Sequence, residues 1–212
     1  MGTIKKGILG GFSGKVGTVV GSSWKGIAYM RSLPQKVKNP RTLAQRSHRS
    51  KFALTLNFLK PMTQLLRIGW RQYAHKQSPF NAAMSYTIAN AVTGAYPNYS
   101  IDPSKIMISC GSLTPATDAM AYPVPGAFNL EWGDTGDSSF INQNDKALIA
   151  VVNPLKSQAV LDPAGAARSV LTQIINIPAG WSGDTVEIYL GFISEDGKEA
   201  ANSVHIGSII AE

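Results

Sequence analysis

The strongest constraint on this chain is the distribution of its charges. Residues 1–101 contain fifteen lysines and arginines and no aspartate or glutamate, whereas residues 102–212 contain five basic and thirteen acidic residues. The formal charges of the two halves are therefore +15 and −8, within a net charge of +7. So uneven a division indicates a counter-charged partner for one half. The candidate partners are nucleic acid, a membrane surface and the acidic half of another copy.

Length and composition predict a folded protein of one or two domains. The chain has 212 residues, of which 44% are hydrophobic, enough to bury a core. Its one cysteine, Cys110, excludes a disulfide within the chain. The first ten residues lack the apolar run of a signal peptide, and no run of about 18 apolar residues occurs. We therefore expect synthesis in the cytoplasm, no membrane span, and a virion-like or extracellular assembly as one later destination.

The first 26 residues contain eight glycines, a density that indicates a sharply bent backbone or one that lies close to another surface. A phosphate-binding loop does not fit, because Leu9 and Val16 stand where that motif needs glycine and serine or threonine. We predict strands at 15–23 and 27–33, joined as a hairpin at Trp24-Lys25-Gly26. Because a hairpin alone is only marginally stable, it must pack on the rest of the chain or on a neighbouring subunit. The residues predicted for that assembly interface are Phe12, Val16, Val20, Trp24, Ile27, Tyr29 and Arg31.

Two helical regions follow the hairpin. Asn39-Pro40 has the sequence of a helix start, with asparagine as the N-cap and proline in the first turn. The apolar residues after it recur at four-three spacing, which predicts one buried helix face, and Pro61 predicts a kink or two consecutive helices. A second helix is predicted to start at Ser78-Pro79 and to end at the glycine cap Thr93-Gly94. The apolar residues of the two helices are Phe52, Leu56, Leu59, Leu66, Trp70 and Tyr73, and then Phe80, Met84, Ile88 and Val92.

The first helical region is also basic. Cations in a row on a helix can neutralise phosphates, and aromatic side chains such as Trp70 and Tyr73 can stack on bases, which makes nucleic-acid binding one hypothesis. The other hypothesis is a solvated or subunit-facing surface, and we favour it because the aromatic residues are in phase with the core face. The residues predicted to contact a charged partner or nucleic acid are Arg41, Arg46, Arg49, Lys51, Arg67 and Arg71.

The second half of the sequence is typical of an all-β domain. Turn residues cluster at 96–99, so we place a domain boundary there, with a basic domain at 1–98 and an acidic domain at 99–212. Apolar residues alternate along 186–193, as in a strand with one core face. Seven short strands in about 110 residues predict an antiparallel sandwich. The strands are predicted at 105–110, 127–132, 146–153, 158–161, 169–177, 185–194 and 203–210.

Residues with the chemistry of an active site are sparse. The three histidines are far apart in the sequence, and Cys110 has no partner at a zinc-binding spacing, so we interpret it as a small apolar residue of a strand. Glu195 and Asp196 fall at a turn, where solvated charge is usual. An oxygen-rich loop offers a candidate calcium site without the spacing of an EF-hand, formed by Asp134, Asp137, Asn142, Asn144 and Asp145. We therefore predict a non-enzymatic protein with no metal and no cofactor.

Two resemblances add to this interpretation. The run from Trp181-Ser182-Gly183-Asp184 to Gly197-Lys198 resembles the end of a fibronectin type III or immunoglobulin-like domain, although no cysteine pair supports an antibody-type domain. A longer series of motifs comprises residues 11–17, 24–26 and 30–34, then Gln45, Arg49, Lys51-Phe52 and Asn81-Ala82-Ala83. Together these motifs resemble an uncharacterised family common in Bacteroidota genomes and phage-like elements. This resemblance implies an α+β chain with an N-terminal glycine-rich hairpin, a helical middle and a β-sandwich C-terminus, and it favours an assembly role.

Three classes of function fit these observations. The one we favour is a structural or assembly protein, whose basic N-terminal half packs on the acidic half of an adjacent copy or docks on a larger phage- or filament-like assembly. Strand addition and head-to-tail contact are the physical means. The second class is a nucleic-acid-binding protein that uses the basic helices. The third is a carbohydrate- or protein-binding module that uses loops of the sandwich, with Trp132 or Trp181 as the platform.

Overall fold

The computed structural model describes residues 2–4, 7, 10–24, 26–34, 41–74, 76–133 and 143–212. The chain is α+β, and it divides into two compact units, Met1–Leu43 and Ala44–Glu212. This division falls well before the predicted boundary at residue 98. The reason is that the helices after residue 43 bury their apolar side chains in a core shared with the later strands.

The first unit is a four-stranded antiparallel sheet. Its strands are β1 (Thr3–Ile4), β2 (Phe12–Val16), β3 (Val19–Trp24) and β4 (Ile27–Ser32), hydrogen-bonded in that order. The strand predicted at 15–23 is therefore two strands, because the chain turns at Gly17, whose φ of 57° is left-handed. The predicted hairpin is confirmed as the pairing of β3 with β4.

A long helical segment leads into the second unit. α1 (Leu43–Leu59) and α2 (Thr63–Gly69) are joined by one 3-10 turn, Lys60–Met62. This confirms the predicted effect of Pro61, whose ring removes a backbone donor and interrupts the α-helical hydrogen bonds. The predicted helix start at Asn39-Pro40 lies outside the described residues.

The buried face of these helices differs in part from the predicted one. Leu59 and Leu66 are fully buried and Trp70 is nearly so, whereas Phe52 and Tyr73 are both 47% exposed. The apolar core therefore begins near the end of α1 and continues through α2.

The second predicted helix is α3 (Pro79–Asn90). It begins as predicted, because the Ser78 hydroxyl accepts a hydrogen bond from the backbone N–H of Asn81. It ends before the predicted glycine cap, since the next residues form a hairpin of β5 (Val92–Ala95) and β6 (Asn98–Ile101). The turn of this hairpin lies where the domain boundary was predicted.

Two larger antiparallel sheets follow. The strands of the first are β7 (Met120–Val124), β8 (Ala127–Glu131) and β11 (Thr172–Asn176), and those of the second are β9 (Lys146–Asn153), β10 (Gln158–Asp162), β12 (Thr185–Ile193) and β13 (Val204–Ile210). Their orders are β11-β8-β7 and β10-β9-β12-β13. Six of these seven strands correspond to predicted ones, and β7 was not predicted.

The strand predicted at 105–110 is an irregular segment instead. The Cys110 N–H donates to the carbonyl oxygen of Gly69, at 3.0 Å, and the Ile108 N–H donates to the hydroxyl of Ser203, at 2.8 Å. A helix end and a loop thus satisfy backbone groups that a neighbouring strand would otherwise bind. The segment is still part of the core, because Ile106 and Ile108 are buried.

In the four-stranded sheet of the second unit, the two central strands, β9 and β12, are buried on both faces. Leu148, Ala150 and Val152 of β9 share one core with the helices, whereas Ala147, Ile149 and Val151 share a second core with β8 and β11. The prediction that β12 has one core face is therefore wrong, since every residue from 186 to 193 is buried. Tyr189 and Ile193 enter the core on the helical side.

Candidate interaction surfaces

The strand register of the first unit divides the predicted assembly interface between two faces. Side chains alternate along a strand, and directly paired residues share a face. Val20 pairs with Arg31 and with Lys15, and Trp24 pairs with Ile27. One face therefore carries Lys15, Val20, Trp24, Ile27, Tyr29 and Arg31, whereas Phe12 and Val16 lie on the other with Met30. The sheet brings five of the seven predicted residues together.

β4 is exposed on both faces. All six of its residues are exposed, and Ile27 and Met30, which lie on opposite faces, are 66% and 70% exposed. In the described part of the sheet β4 is also an edge strand, paired only with β3. A strand that is apolar on both sides and open along its edge is typical of a surface that a protein partner covers.

Two glycines of the first unit allow neighbouring segments of the sheet to approach closely. A Cβ on Gly21 would lie 2.2 Å from the carbonyl oxygen of Phe12, and a Cβ on Gly11 would lie 2.3 Å from the Cβ of Ala28. Only glycine fits at these two positions, because residues 11 and 12 lie so close to β4 and β3. Of the two predicted explanations for the glycine density, close approach applies here.

The first unit carries the excess positive charge. Residues 1–43 contain eight lysines and arginines and no acidic residue, whereas residues 44–212 contain twelve basic and thirteen acidic residues. The formal charges of the two units are therefore +8 and −1. The charge boundary near residue 101 does not coincide with the boundary between the compact units, because the basic helices belong to the second unit.

Five exposed cations line one side of the helical segment formed by α1, α2 and the next 3-10 turn, Arg71–Tyr73. They lie 3, 11, 7 and 4 residues apart, each close to a whole number of turns of 3.6 residues. At about 1.5 Å per residue they extend over roughly 40 Å. We name this surface the basic ridge, and its members are Arg46, Arg49, Lys60, Arg67 and Arg71. Lys60 belongs to the same basic region of the sequence but was not among the residues predicted to contact a charged partner or nucleic acid.

Two of the predicted cations lie elsewhere. The Lys51 ammonium lies over the Tyr99 ring, 4.8 Å from its centroid, and the Tyr99 hydroxyl is hydrogen-bonded to that of Ser47 at 2.6 Å. Lys51 therefore attaches α1 to the β5–β6 hairpin through a cation–π contact. Arg41 belongs to the first compact unit.

A cleft of about 770 Å³ lies between the α1–α2 segment and the start of α3. Lys60, Arg67 and Arg71 of the basic ridge line it, and no acidic residue does. None of the ion pairs within the described ranges includes these three cations. The apolar lining consists of Leu56, Ile68, Pro79 and Phe80.

An acidic turn joins β12 to β13. Glu195, Asp196 and Glu199 are exposed there beside one lysine, Lys198. The Asp196 carboxylate accepts hydrogen bonds from the Ser194 hydroxyl and the Lys198 N–H. The hydrogen bond from the Lys198 ammonium contributes most to holding the pKa of Asp196 well below its ordinary value. The predicted solvated charge at this turn is confirmed.

The candidate calcium loop lies mostly outside the described residues, which include only Asn144 and Asp145 of its members. The Asp145 carboxylate pairs with the Arg168 guanidinium at 3.4 Å, and both side chains are buried. A guanidinium in contact with this carboxylate opposes a divalent cation there. In the part of the chain that the structure describes, no group of three or more His, Cys, Asp and Glu residues could hold a metal ion.

Cys110 lies at the edge of the helical core and outside any strand. Burial raises the pKa of its thiol, which keeps the sulfur protonated and weakly nucleophilic at neutral pH. The interpretation of Cys110 as a small apolar residue fits this position, although the predicted strand does not exist.

Glu187, His205 and Ser208 form a polar cluster between β12 and β13 that sequence reasoning missed. The Glu187 side chain is nearly buried, its carboxylate lies 2.7 Å from the Nε2 of His205, and it accepts hydrogen bonds from the Ser208 hydroxyl. Burial opposes ionisation of this carboxyl, but the hydrogen bonds from His205 and Ser208 outweigh it and lower the pKa of Glu187. The only signal in the sequence is the position of the three polar residues on paired strands.

This cluster predicts a loss of stability in acid. Because the pKa of Glu187 is lower in the folded chain than its ordinary value of 4.5, its contribution is complete above that pH and is lost as the pH falls through the folded pKa. Urea unfolding from about pH 6 to about pH 3 should show the free energy of unfolding falling more steeply in the wild type than in Glu187→Gln. Parallel pH profiles for the two proteins would contradict this account.

No helix in the described ranges is long and apolar enough to cross a membrane. No curated protein matches the chain. A family of unknown function, DUF6266, matches residues 11–207, a range that includes β2, β3 and β4 of the first unit and nearly all of the second. The resemblance to an uncharacterised family is thus confirmed at that level, and the chain belongs to the DUF6266 family.

Proposed function

We propose that this chain is a non-enzymatic assembly protein, in which the first unit of one copy docks on an acidic surface of the next copy. The observation that carries the proposal is β4, an edge strand that is apolar and exposed on both faces. Burial of Ile27, Tyr29 and Met30 against a partner would remove apolar surface from water. The open edge of β4 offers hydrogen bonds to a strand of that partner.

Charge favours one kind of contact between copies. Two first units carry +8 each, so their direct contact is opposed by repulsion. The acidic turn at Glu195, Asp196 and Glu199 offers the opposite charge on the second unit. A first unit on the acidic turn of the next copy is a head-to-tail contact, which forms a ring if it closes and a filament if it does not. A larger phage- or filament-like scaffold with an acidic face is the other partner of the same chemistry.

We infer, as part of the same proposal, that β7 to β13 form an antiparallel sandwich of the fibronectin type III kind. This inference is supported by the strand orders. β7, β8 and β11 form one sheet, β9, β10, β12 and β13 form the other, and one core lies between the two sheets. The helices on the outer face of the four-stranded sheet are an addition to such a domain.

The test is the mass of the purified chain by light scattering, over a wide range of concentration and from about 50 to about 500 mM salt. The wild type should form particles larger than one chain at low salt, and high salt should dissociate them. Ile27→Asp/Tyr29→Asp should stay monomeric, because it places two carboxylates in the apolar contact. The matched control is Met120→Asp/Ile174→Asp, which alters residues that are 52% and 64% exposed on the second unit, and it should assemble like the wild type.

A wild type that is monomeric at every concentration would overturn assembly of one copy on another. Equal loss of assembly in the two double variants would show that added negative charge, and not the β4 surface, controls the particles. Assembly that persists after deletion of residues 1–34 would exclude strand addition by the first unit.

A further inference from the structure

We propose that the basic ridge and the cleft beside it bind a single strand of nucleic acid, with phosphates along the ridge and a base in the cleft. This inference goes beyond assembly through the first unit, because all its residues belong to the second compact unit.

The basic ridge has the length for an extended polyanion. A single phosphate spans only a few ångströms, whereas Arg46 and Arg71 are roughly 40 Å apart along the helical segment. Four of the five cations are arginines, whose planar guanidinium groups bind phosphate oxygens in pairs. Since residues 1–101 contain no acidic residue, no carboxylate of the helices themselves offsets this charge.

The cleft has the chemistry for a base. Its volume of about 770 Å³ is in the range of small-ligand sites, and Ile68, Pro79 and Phe80 give it an apolar lining. The Asn57 side chain also lines it and carries the amide donor and acceptor that read base edges. A peptide of acidic residues alone would use the same cations, but it carries no aromatic or other large apolar group for the apolar lining. These features favour a nucleic-acid strand over an acidic peptide.

The start of α3 adds to the field in the cleft. Ser78 and Pro79 line the cleft, so the positive end of the 12-residue helix dipole is close to the three cations. This contribution reinforces the charge of Lys60, Arg67 and Arg71 and has the sign that attracts phosphate.

The experiment measures fluorescence anisotropy of a labelled single strand of about 12 nucleotides, which is long enough to span the basic ridge. The wild-type chain should bind it, and log Kd should depend linearly on log salt concentration. Arg67→Gln/Arg71→Gln should bind about tenfold more weakly at low salt, and its salt slope should be smaller by about 1.4, because each contact on a single strand contributes about 0.7. A matched strand of abasic residues should bind the wild type about fivefold more weakly or worse, since base stacking is lost.

The matched control is Lys146→Gln/Lys198→Gln, which removes the same charge from exposed residues outside the ridge. It should bind within about twofold of the wild type. Equal weakening in the two variants would show an effect of net charge alone and would overturn the assignment to the ridge. Absence of wild-type binding would overturn the proposal, as would displacement of the strand by a polyglutamate peptide as effective as the unlabelled strand. An abasic strand that binds as tightly as the normal strand would overturn the placement of a base in the cleft.

Loss of nucleic-acid binding can be distinguished from loss of assembly between copies. Arg67→Gln/Arg71→Gln alters no residue of the first unit, so its particles should have the same mass as those of the wild type in light scattering.

Discussion

Replacement of Arg168 by methionine should lower the free energy of unfolding by about 3–5 kcal/mol, because it leaves a buried carboxylate without its counter-charge. Arg168 is 5% exposed and Asp145 is 1% exposed. The guanidinium also donates to the carbonyl oxygen of Thr114, at 2.7 Å, and lies 3.8 Å from the centroid of the Phe192 ring. Urea unfolding followed by circular dichroism measures the change.

A double-mutant cycle separates the ion pair from the packing of the Arg168 side chain. Burial raises the pKa of Asp145 and the neighbouring guanidinium lowers it, so loss of Arg168 favours the neutral acid. Asp145→Asn alone should also destabilise the chain, because it leaves the guanidinium buried and unpaired. The double variant Asp145→Asn/Arg168→Met should recover part of the loss. Additive losses in the double variant would contradict a coupled pair.

Replacement of Tyr189 by alanine should destabilise the chain by about 3–5 kcal/mol, the usual range for truncation of a buried aromatic side chain. Tyr189 is fully buried on the helical side of β12, and its hydroxyl donates to the carbonyl oxygen of Pro103 at 3.1 Å. Tyr189→Phe keeps the ring and removes only this hydrogen bond, so its loss should be about 1 kcal/mol. Chemical denaturation of the two variants gives both values.

The exposed Tyr122 provides the control for this prediction. It is 45% exposed on β7, so Tyr122→Ala should change the free energy of unfolding by no more than about 0.5 kcal/mol. Similar effects for Tyr122→Ala and Tyr189→Ala would contradict the burial of β12 on the helical side, and with it the core that this strand shares with the helices.

Local patterns in the sequence predicted the elements that depend on local chemistry. Ser78 and Pro79 predicted the start of α3, because the N-cap hydrogen bond and the proline act within one turn. The apolar run that became β9 was predicted with its observed bounds, since polar or turn-forming residues flank it. Pro61 predicted the break between α1 and α2 from its missing donor.

Long-range contacts account for what the sequence did not predict. The charge boundary near residue 101 reflects composition, whereas the unit boundary at residue 43 depends on helices that pack against β9, more than fifty residues later. The apolar pattern of β12 predicted one core face, because nothing local shows that helices cover the other. Lys51 was assigned to a charged partner, although its contact is Tyr99 on a hairpin that was not predicted.

Burial of β9 and β12 on both faces has a consequence for strand register. A one-residue slip of a half-exposed strand moves its apolar residues into water, which is what normally prevents the slip. β9 and β12 lose this safeguard, because both of their faces are buried. Gly191 and Glu187 supply a substitute, since a Cβ on Gly191 would lie 2.3 Å from the Ser109 hydroxyl and Glu187 bonds across to β13. One glycine and one carboxylate thus favour the observed position of β12, which burial of apolar residues alone would not determine.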